Sequence, residues 1–324
     1  MAGSYAELAI VVGRDATTSA SVVMTSPDGV TWTAVSGYSG PANTAAVAGD
    51  TYFVGGGGGA NNLATSTDGA SWSLHTSGFT GARIAWTGTK WVAVDASTSF
   101  TSTSGTSWSS GGATGSTHTS RRVVHAGGVT VSTGLSGGGT TTVVYSTDEG
   151  TSWSTYTPSS GSNGGQDLAY GAGRWVIPRR RTSGGDPADI GIITSTDGVT
   201  WSVVNTGIAL NNGWLNASYG NGVFLLVGTT NTGAAAVATS TTGAANSFSV
   251  FTPTGLPSFP SQADRLTFWK GRWLYVTPFS GVIYDSTDGV TWSSTTFTNR
   301  VWVDISAGIA RPRGGIYVDG AVHF

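Results

Sequence analysis

The side chains in this sequence best suited to chemistry are guanidinium groups that recur at matching places. Three residues before a repeated aromatic position stand Thr44, Arg83, Arg122, Asp167, Asn216 and Arg265, and Arg300 is placed as a seventh member. A planar guanidinium grips carboxylate or phosphate oxygens through two parallel N–H bonds. Several of them at one opening would make an anion-binding site. The alternative is internal pairing, with Arg83, Arg122 and Arg265 neutralised by Asp167, Asp264 or Asp304. A second cationic feature is the run Arg179-Arg180-Arg181, a candidate contact for an acidic partner or a sulfated glycan, with Asp186 and Asp189 downstream as its internal alternative.

Other chemistry is thinly supplied. Glycoside hydrolysis generally takes two placed carboxyls. The chain has two Glu: Glu7 falls in a strand and Glu149 in a turn. Asp15, Asp186 and Asp189 fall in loops and keep an Asp pair in play. His75, His118, His125 and His323 show no metal-ligand spacing. The absence of Cys excludes disulfides and thiolate chemistry. The glycines from Gly55 to Gly59 follow a strand and open no helix, which argues against a phosphate loop. No catalytic residue, metal or cofactor is expected.

The elements that must position these residues come from a repeated phrase. Ser195-Thr196-Asp197-Gly198-Val199-Thr200-Trp201 returns around Asp28 and Trp32, Asp68 and Trp72, and Asp288 and Trp292. A copy with one extra residue carries Asp148 and Trp153; two worn copies lack the Asp and end at Trp108 and Phe248. Gly supplies the positive φ of a tight turn, Asp accepts bonds from the turn's own N–H groups, and Trp anchors the returning strand. These Asp residues therefore read as structural. Subtracting successive anchor positions gives spacings of 40, 36, 45, 48, 47 and 44 residues, one supersecondary unit each. A second strand–turn–strand phrase alternates with the first, as in Trp86-Thr87-Gly88-Thr89-Lys90-Trp91 and Tyr170-Gly171-Ala172-Gly173-Arg174-Trp175. Two hairpins per unit make a four-stranded blade, A to D, and seven units make a seven-bladed β-propeller.

The phrase resembles the Asp-box, or BNR, repeat, S-x-D-x-G-x-T-W, over nearly the whole chain. The Ser146–Trp153 copy fits its full spacing and the others are one residue shorter. The resemblance implies a propeller scaffold like that of sialidases, some other glycoside hydrolases, sortilin-type receptors and photosystem II assembly factors. It also implies that the boxes lie away from the functional face. Sialidases of this kind hold a substrate carboxylate with three arginines and need a Tyr nucleophile beside a Glu, which neither Glu here is placed to support. Photosystem assembly propellers use an arginine patch.

The first unit lacks an A strand, and Arg300–Ile305 is the spare strand expected to complete it and close the ring. One domain over residues 1–324 is expected, with 300–324 as closing strand and tail. A–B and C–D turns fall on one face. B–C and D–A loops fall on the other, including the long connections near 110–120, 159–166, 178–190, 205–215 and 253–264. Binding is expected on that second face. Charged residues are only 10% and the net charge is -2, which argues against nucleic acid. No segment is long enough to span a membrane and no leader is recognisable at the start. With a Gly, Ser and Thr-rich texture resembling phage tail and decoration proteins, the reading is a non-enzymatic virion protein. Its partner would be a cell-surface glycan or a neighbouring virion protein. A sialidase-like hydrolase and a cytoplasmic assembly factor using the Arg run are the alternatives.

Overall fold

Short runs of Val, Ala, Ser and Thr, punctuated by Gly turns, leave no room for an apolar helical period. In the computed structural model every regular element among the described residues is a strand. The structure describes residues 7–309 apart from 58, 81–82, 116–117, 137–140, 159–166, 180–190, 207–212, 231, 259, 261–264 and 279, together with 316–318 and 321–323.

Seven four-stranded antiparallel sheets form the blades. Blade 1 is composite: Arg300–Ile309 is its A strand, followed by Glu7–Asp15, Ser21–Ser26 and Thr33–Ala34 as B, C and D. Blade 2 runs Thr44–Ala48, Thr51–Gly55, Leu63–Ser66 and Ser73–His75. Blade 3 runs Arg83–Trp86, Trp91–Asp95, Thr98–Ser102 and Ser109–Ala113. Blade 4 runs His118–Ala126, Val129–Ser136, Thr141–Ser146 and Ser154–Tyr156. Blade 5 runs Ala169–Gly171, Arg174–Pro178, Gly191–Ser195 and Ser202–Asn205. Blade 6 runs Trp214–Gly220, Val223–Thr229, Ala235–Ser240 and Ser249–Phe251. Blade 7 runs Arg265–Trp269, Arg272–Val276, Val282–Ser286 and Ser293–Thr296. The expected closure is present: Val11 pairs opposite Ile305 and Leu8 opposite Gly308. A last hairpin, Ile316–Val318 with Ala321–His323, lies against the A strands of blades 4 and 5.

The core is divided among the seams between blades. Seven hydrophobic clusters each bridge one adjacent pair. At the closing seam Trp302, Ile305 and Ala307 pack with Trp269, Leu274 and Val276 of blade 7. Trp91, Trp175, Trp214, Trp269 and Trp302 are fully buried, so these indoles are packing groups.

The box turns hold the seams. In the copy at 195–201, Ser195 Oγ accepts from Gly198 N at 2.8 Å and donates to Asp197 Oδ1 at 2.9 Å. That carboxylate oxygen also accepts from Val199 N at 2.8 Å and Thr200 N at 2.7 Å. Trp201 Nε1 closes the clasp on Gly198 O at 3.1 Å. The Thr200 and Val199 N–H bonds hold the Asp197 carboxyl at about 2. In the worn box Ser104 replaces Asp with longer bonds of 3.3 and 3.1 Å, while Ser102 Oγ still accepts from Gly105 N at 2.8 Å. The extra residue of the long box, Glu149, takes φ 57 and accepts from the hydroxyls of Thr87 and Thr89 in the blade 3 A–B turn.

Each box glycine lies on the B strand of the preceding blade. A Cβ at Gly69 would come within 2.4 Å of Leu8, one at Gly150 within 2.8 Å of Val92, and one at Gly243 within 2.7 Å of Val176. Gly29, Gly105, Gly198 and Gly289 meet Leu274, Phe53, Val129 and Leu225 in the same way. The second phrase repeats the device: the Tyr219 ring covers Gly171 and the Phe268 ring covers Gly220, leaving 2.1 and 2.0 Å for any Cβ.

Three outcomes follow from this construction. Removal of Arg300–Phe324 takes away the blade 1 A strand and one seam, so calorimetry is expected to show no cooperative unfolding transition; an unchanged melt contradicts closure. Asp197→Ala is expected to cost roughly 0.5–2 kcal/mol, by analogy with a lost helix cap, read from denaturant melts. Because the folded carboxyl of Asp197 sits below its ordinary 3.8, its contribution is complete above about pH 4 and is lost as pH falls towards 2. Asp197→Asn should therefore flatten that part of the acid unfolding curve.

Candidate functional site

The A strands line the central channel, and the residues at their loop-face ends form one ring. Thr44, Arg83, Arg122, Asn216 and Arg265 take matching places in the A–B register, opposite Gly55, Val94, Thr133, Val227 and Val276, and Asp167 stands just before the blade 5 A strand; of these, Arg83, Arg122 and Arg265 line one cavity. The seventh place belongs to Asp304. Arg300 stands four residues earlier, at the start of the closing strand opposite Asp15, and its guanidinium pairs with Asp15 at 2.5 Å. Asp15 also accepts from the N–H groups of Thr17 and Thr18 at 2.9 Å. Arg300 therefore belongs to an outer ion pair.

Asp304 and Asp167 do the same job in blades 1 and 5. Asp304 accepts from Ile305 N on its own strand and from Ala45 N on the next blade, both at 3.0 Å. Asp167 accepts from Leu168 N at 2.9 Å and from Ala217 N at 3.1 Å. Each carboxylate thus clips two neighbouring A strands by their backbones. Each is then paired with arginine. Arg265 Nε lies 3.3 Å from Asp304 Oδ1, and Arg83 of blade 3 pairs with Asp304 Oδ2. Arg122 Nε lies 3.7 Å from Asp167 Oδ1. The pairing reading of the sequence is thus realised for Asp167 and Asp304; Asp264 lies outside the described residues.

Burial dominates the electrostatics. It lowers the Arg83 guanidinium to about 10 against the opposing pull of Asp304. It raises the Asp167 carboxyl above its ordinary value although Arg122 and the backbone donors favour the charge.

Arg121 was not singled out by the sequence pattern. Strand alternation sends Arg121 and Arg122 to opposite faces. Here the pairing slips between Ser120 and Arg122, so Arg121 is the extra residue of a β-bulge and lines the same cavity as Arg122. The doubled Arg is the only trace of this in the sequence. The cavity measures about 80 Å³ and is bounded by Arg83, Arg121, Arg122, Arg265 and Asp304, with Ala46, Ala85 and Ser306 below them.

Of the Arg run, Arg179 alone is among the described residues. Arg179 is 2% exposed, and its carbonyl accepts from Trp214 N at the seam between blades 5 and 6. Arg180, Arg181, Asp186 and Asp189 lie outside the described residues, as does much of the long-loop sequence on this face. Among the described residues no group of three His, Cys, Asp or Glu is placed to hold a metal, and no helix is long and apolar enough to cross a membrane.

No family model matches the chain, and no curated protein matches it in sequence. Solved structures share the fold. YCF48 bound to a D1 peptide is 13% identical with a TM-score of 0.51, covering 81% of this chain and 90% of that one. Apo AztD from Citrobacter koseri is 10% identical with a TM-score of 0.55, covering 96% and 100%. Virginiamycin B lyase from Staphylococcus aureus is 12% identical with a TM-score of 0.59, covering 80% and 85%. At these identities the likeness is one of fold.

The double role of Asp304 makes it the ring residue whose loss is felt most. Asp304→Asn leaves Arg83 and Arg265 buried without their shared counter-charge and is expected to cost roughly 3–5 kcal/mol in denaturant unfolding. Arg300→Ala, at the partly exposed outer pair, is expected to leave the midpoint nearly unchanged.

Proposed function

We propose that this chain is a non-enzymatic binding propeller that presents its loop face, with the arginine-rich mouth at its centre, to an acidic ligand. The observation that carries this reading is the commitment of the mouth's carboxylates to the wall. Asp167 and Asp304 each accept two backbone N–H bonds and face a guanidinium. Carboxylates held in that way have their lone pairs turned to the wall. A general acid or base needs a lone pair or a proton within reach of the substrate. The guanidiniums offer donors in planar forks, the geometry that carboxylate, sulfate and phosphate groups accept. Elsewhere, Glu149 is spent on the opposite face and Glu7 pairs with Lys270 at 3.2 Å.

A glycan bearing uronate, sialate or sulfate fits such a mouth, and so does an acidic protein segment. The fold neighbour YCF48 holds a peptide, which supports the second kind of partner. The low charge and the Gly, Ser and Thr-rich surface texture favour a place on a phage particle, as tail or decoration.

A glycan array with sialylated, uronate and sulfated members, each hit checked for released sugar, tests the reading. Binding without release, weakened at least tenfold by Arg122→Ala in a variant that still melts cooperatively, is the expected result. Release of sugar would place the protein among glycosidases. A blank array would remove the glycan and leave the acidic protein partner.

A further inference from the structure

Three A strands carry an extra residue immediately before the ring position: Arg121 in blade 4, Leu215 in blade 6 and Val303 in blade 1. The bulge is therefore a recurring feature of this ring. Leu215 is buried and Val303 half-buried, so two of the three bulges are filled by apolar side chains. The third carries a guanidinium. Arg121 lines the central cavity beside Arg83 and Arg265. The residue is half-buried overall, while its Nε is fully buried and has no hydrogen-bond partner. No carboxylate among the described residues pairs with Arg121, and the charge that acts on it most is the like charge of Arg265.

Burying a cation beside another cation is costly unless an anion joins them. Nothing in the bulge geometry demands that cost, since Leu and Val serve at the equivalent places. The cavity that Arg121 faces, about 80 Å³, has room for several water-sized groups and hence for one oxyanion. The small side chains of Ala46, Ala85 and Ser306 keep that space open beneath the ring.

We infer that Arg121, together with Arg265 and Arg83, forms a site inside the channel for a single oxyanion: a sulfate, a phosphate or the carboxylate of a larger acidic ligand. The inference shares its cavity with the binding reading above but does not depend on any glycan being the ligand. The site is pre-built on a β-strand, so its donors need little reordering when the anion arrives.

The test is calorimetric titration with sodium sulfate, sodium phosphate and sodium glucuronate in chloride buffer at constant ionic strength, with thermal melts in parallel. The whole chain is used. Wild type is expected to show saturable binding at one site with at least one of the three anions. The general stabilisation by excluded salts is non-saturating and is common to all variants. Arg121→Leu, which copies the residue found in blade 6, is expected to melt at least as high as wild type in chloride alone and to lose the saturable response. Arg121→Lys keeps the charge without the fork and is expected to weaken binding about tenfold.

Sulfate and phosphate binding without glucuronate would identify a tetrahedral oxyanion; glucuronate binding would identify a carboxylate. Absence of saturable binding by wild type to all three overturns the site. So does an unchanged response in Arg121→Leu. A lower melt for Arg121→Leu in chloride alone also overturns it, since Arg121 would then be held by the chain itself. If Arg121→Leu does not fold, the Lys variant decides by the same criterion. A saturable response with a blank glycan array keeps this site and removes the glycan reading, whereas the reverse keeps the mouth and removes the site.

Discussion

The glycine of each box turn rests on the B strand of the blade before it, and the ring is organised by that contact. At Gly69 a Cβ would lie 2.4 Å from Leu8, at Gly243, Gly150 and Gly289 it would lie 2.7–2.9 Å from the neighbouring blade, and at the other three box glycines 3.0–3.3 Å, all in the same direction round the ring. The contact explains why the phrase tolerates loss of Asp or Trp in its worn copies but not loss of Gly. Asp and Trp clasp the turn, while Gly sets how near the neighbouring blade can come. The aromatic residues of the A–B turns add a second set of contacts on the same face, pressed over the preceding blade's glycine. That face is closed by packing.

Charge is distributed to match. The box carboxylates are depressed by backbone donors and turned to solvent, where their field is weak. The carboxylates at the channel mouth are buried, and their charge is offset by arginines from neighbouring blades. Arg83 of blade 3 pairs with Asp304 of blade 1, so charge in the ring is balanced across more than one seam. The strand clips at the mouth are made by the two carboxylates, and the arginines beside them balance the charge those clips bury.

The repeat made the architecture legible before any coordinates. Spacing and turn chemistry dictate the number of blades, their four-strand make-up and the closure by a strand beginning at Arg300, read as Arg300–Ile305 and extending to Ile309, because each rests on local rules that every unit repeats. The ring positions were also legible in six blades. The seventh was not, because Arg300 and Asp304 both lie in a strand with no A–B aromatic from which to count. Aligning Asp304-Ile305-Ser306 with Asp167-Leu168-Ala169 by their apolar and small residues gives the correct place. Arg121 was hidden by a bulge, which breaks the alternation on which facing is judged. Arg179 misled because a run of like charges reads as surface, whereas the first of the three is folded into a seam.

The composite blade also has a history in time. Asp15 and Arg300, partners in the finished ring, are 285 residues apart in the chain. At a synthesis rate of roughly 5–20 residues per second the strand Glu7–Asp15 waits on the order of 15–60 s for its inner neighbour. During that interval it presents a row of unpaired N–H and C=O groups along a Val and Ile-rich edge, the kind of template on which chains associate wrongly. The newborn protein is therefore most vulnerable in its first blade. Its burden on the cell's chaperones is set by how long the last A strand takes to emerge.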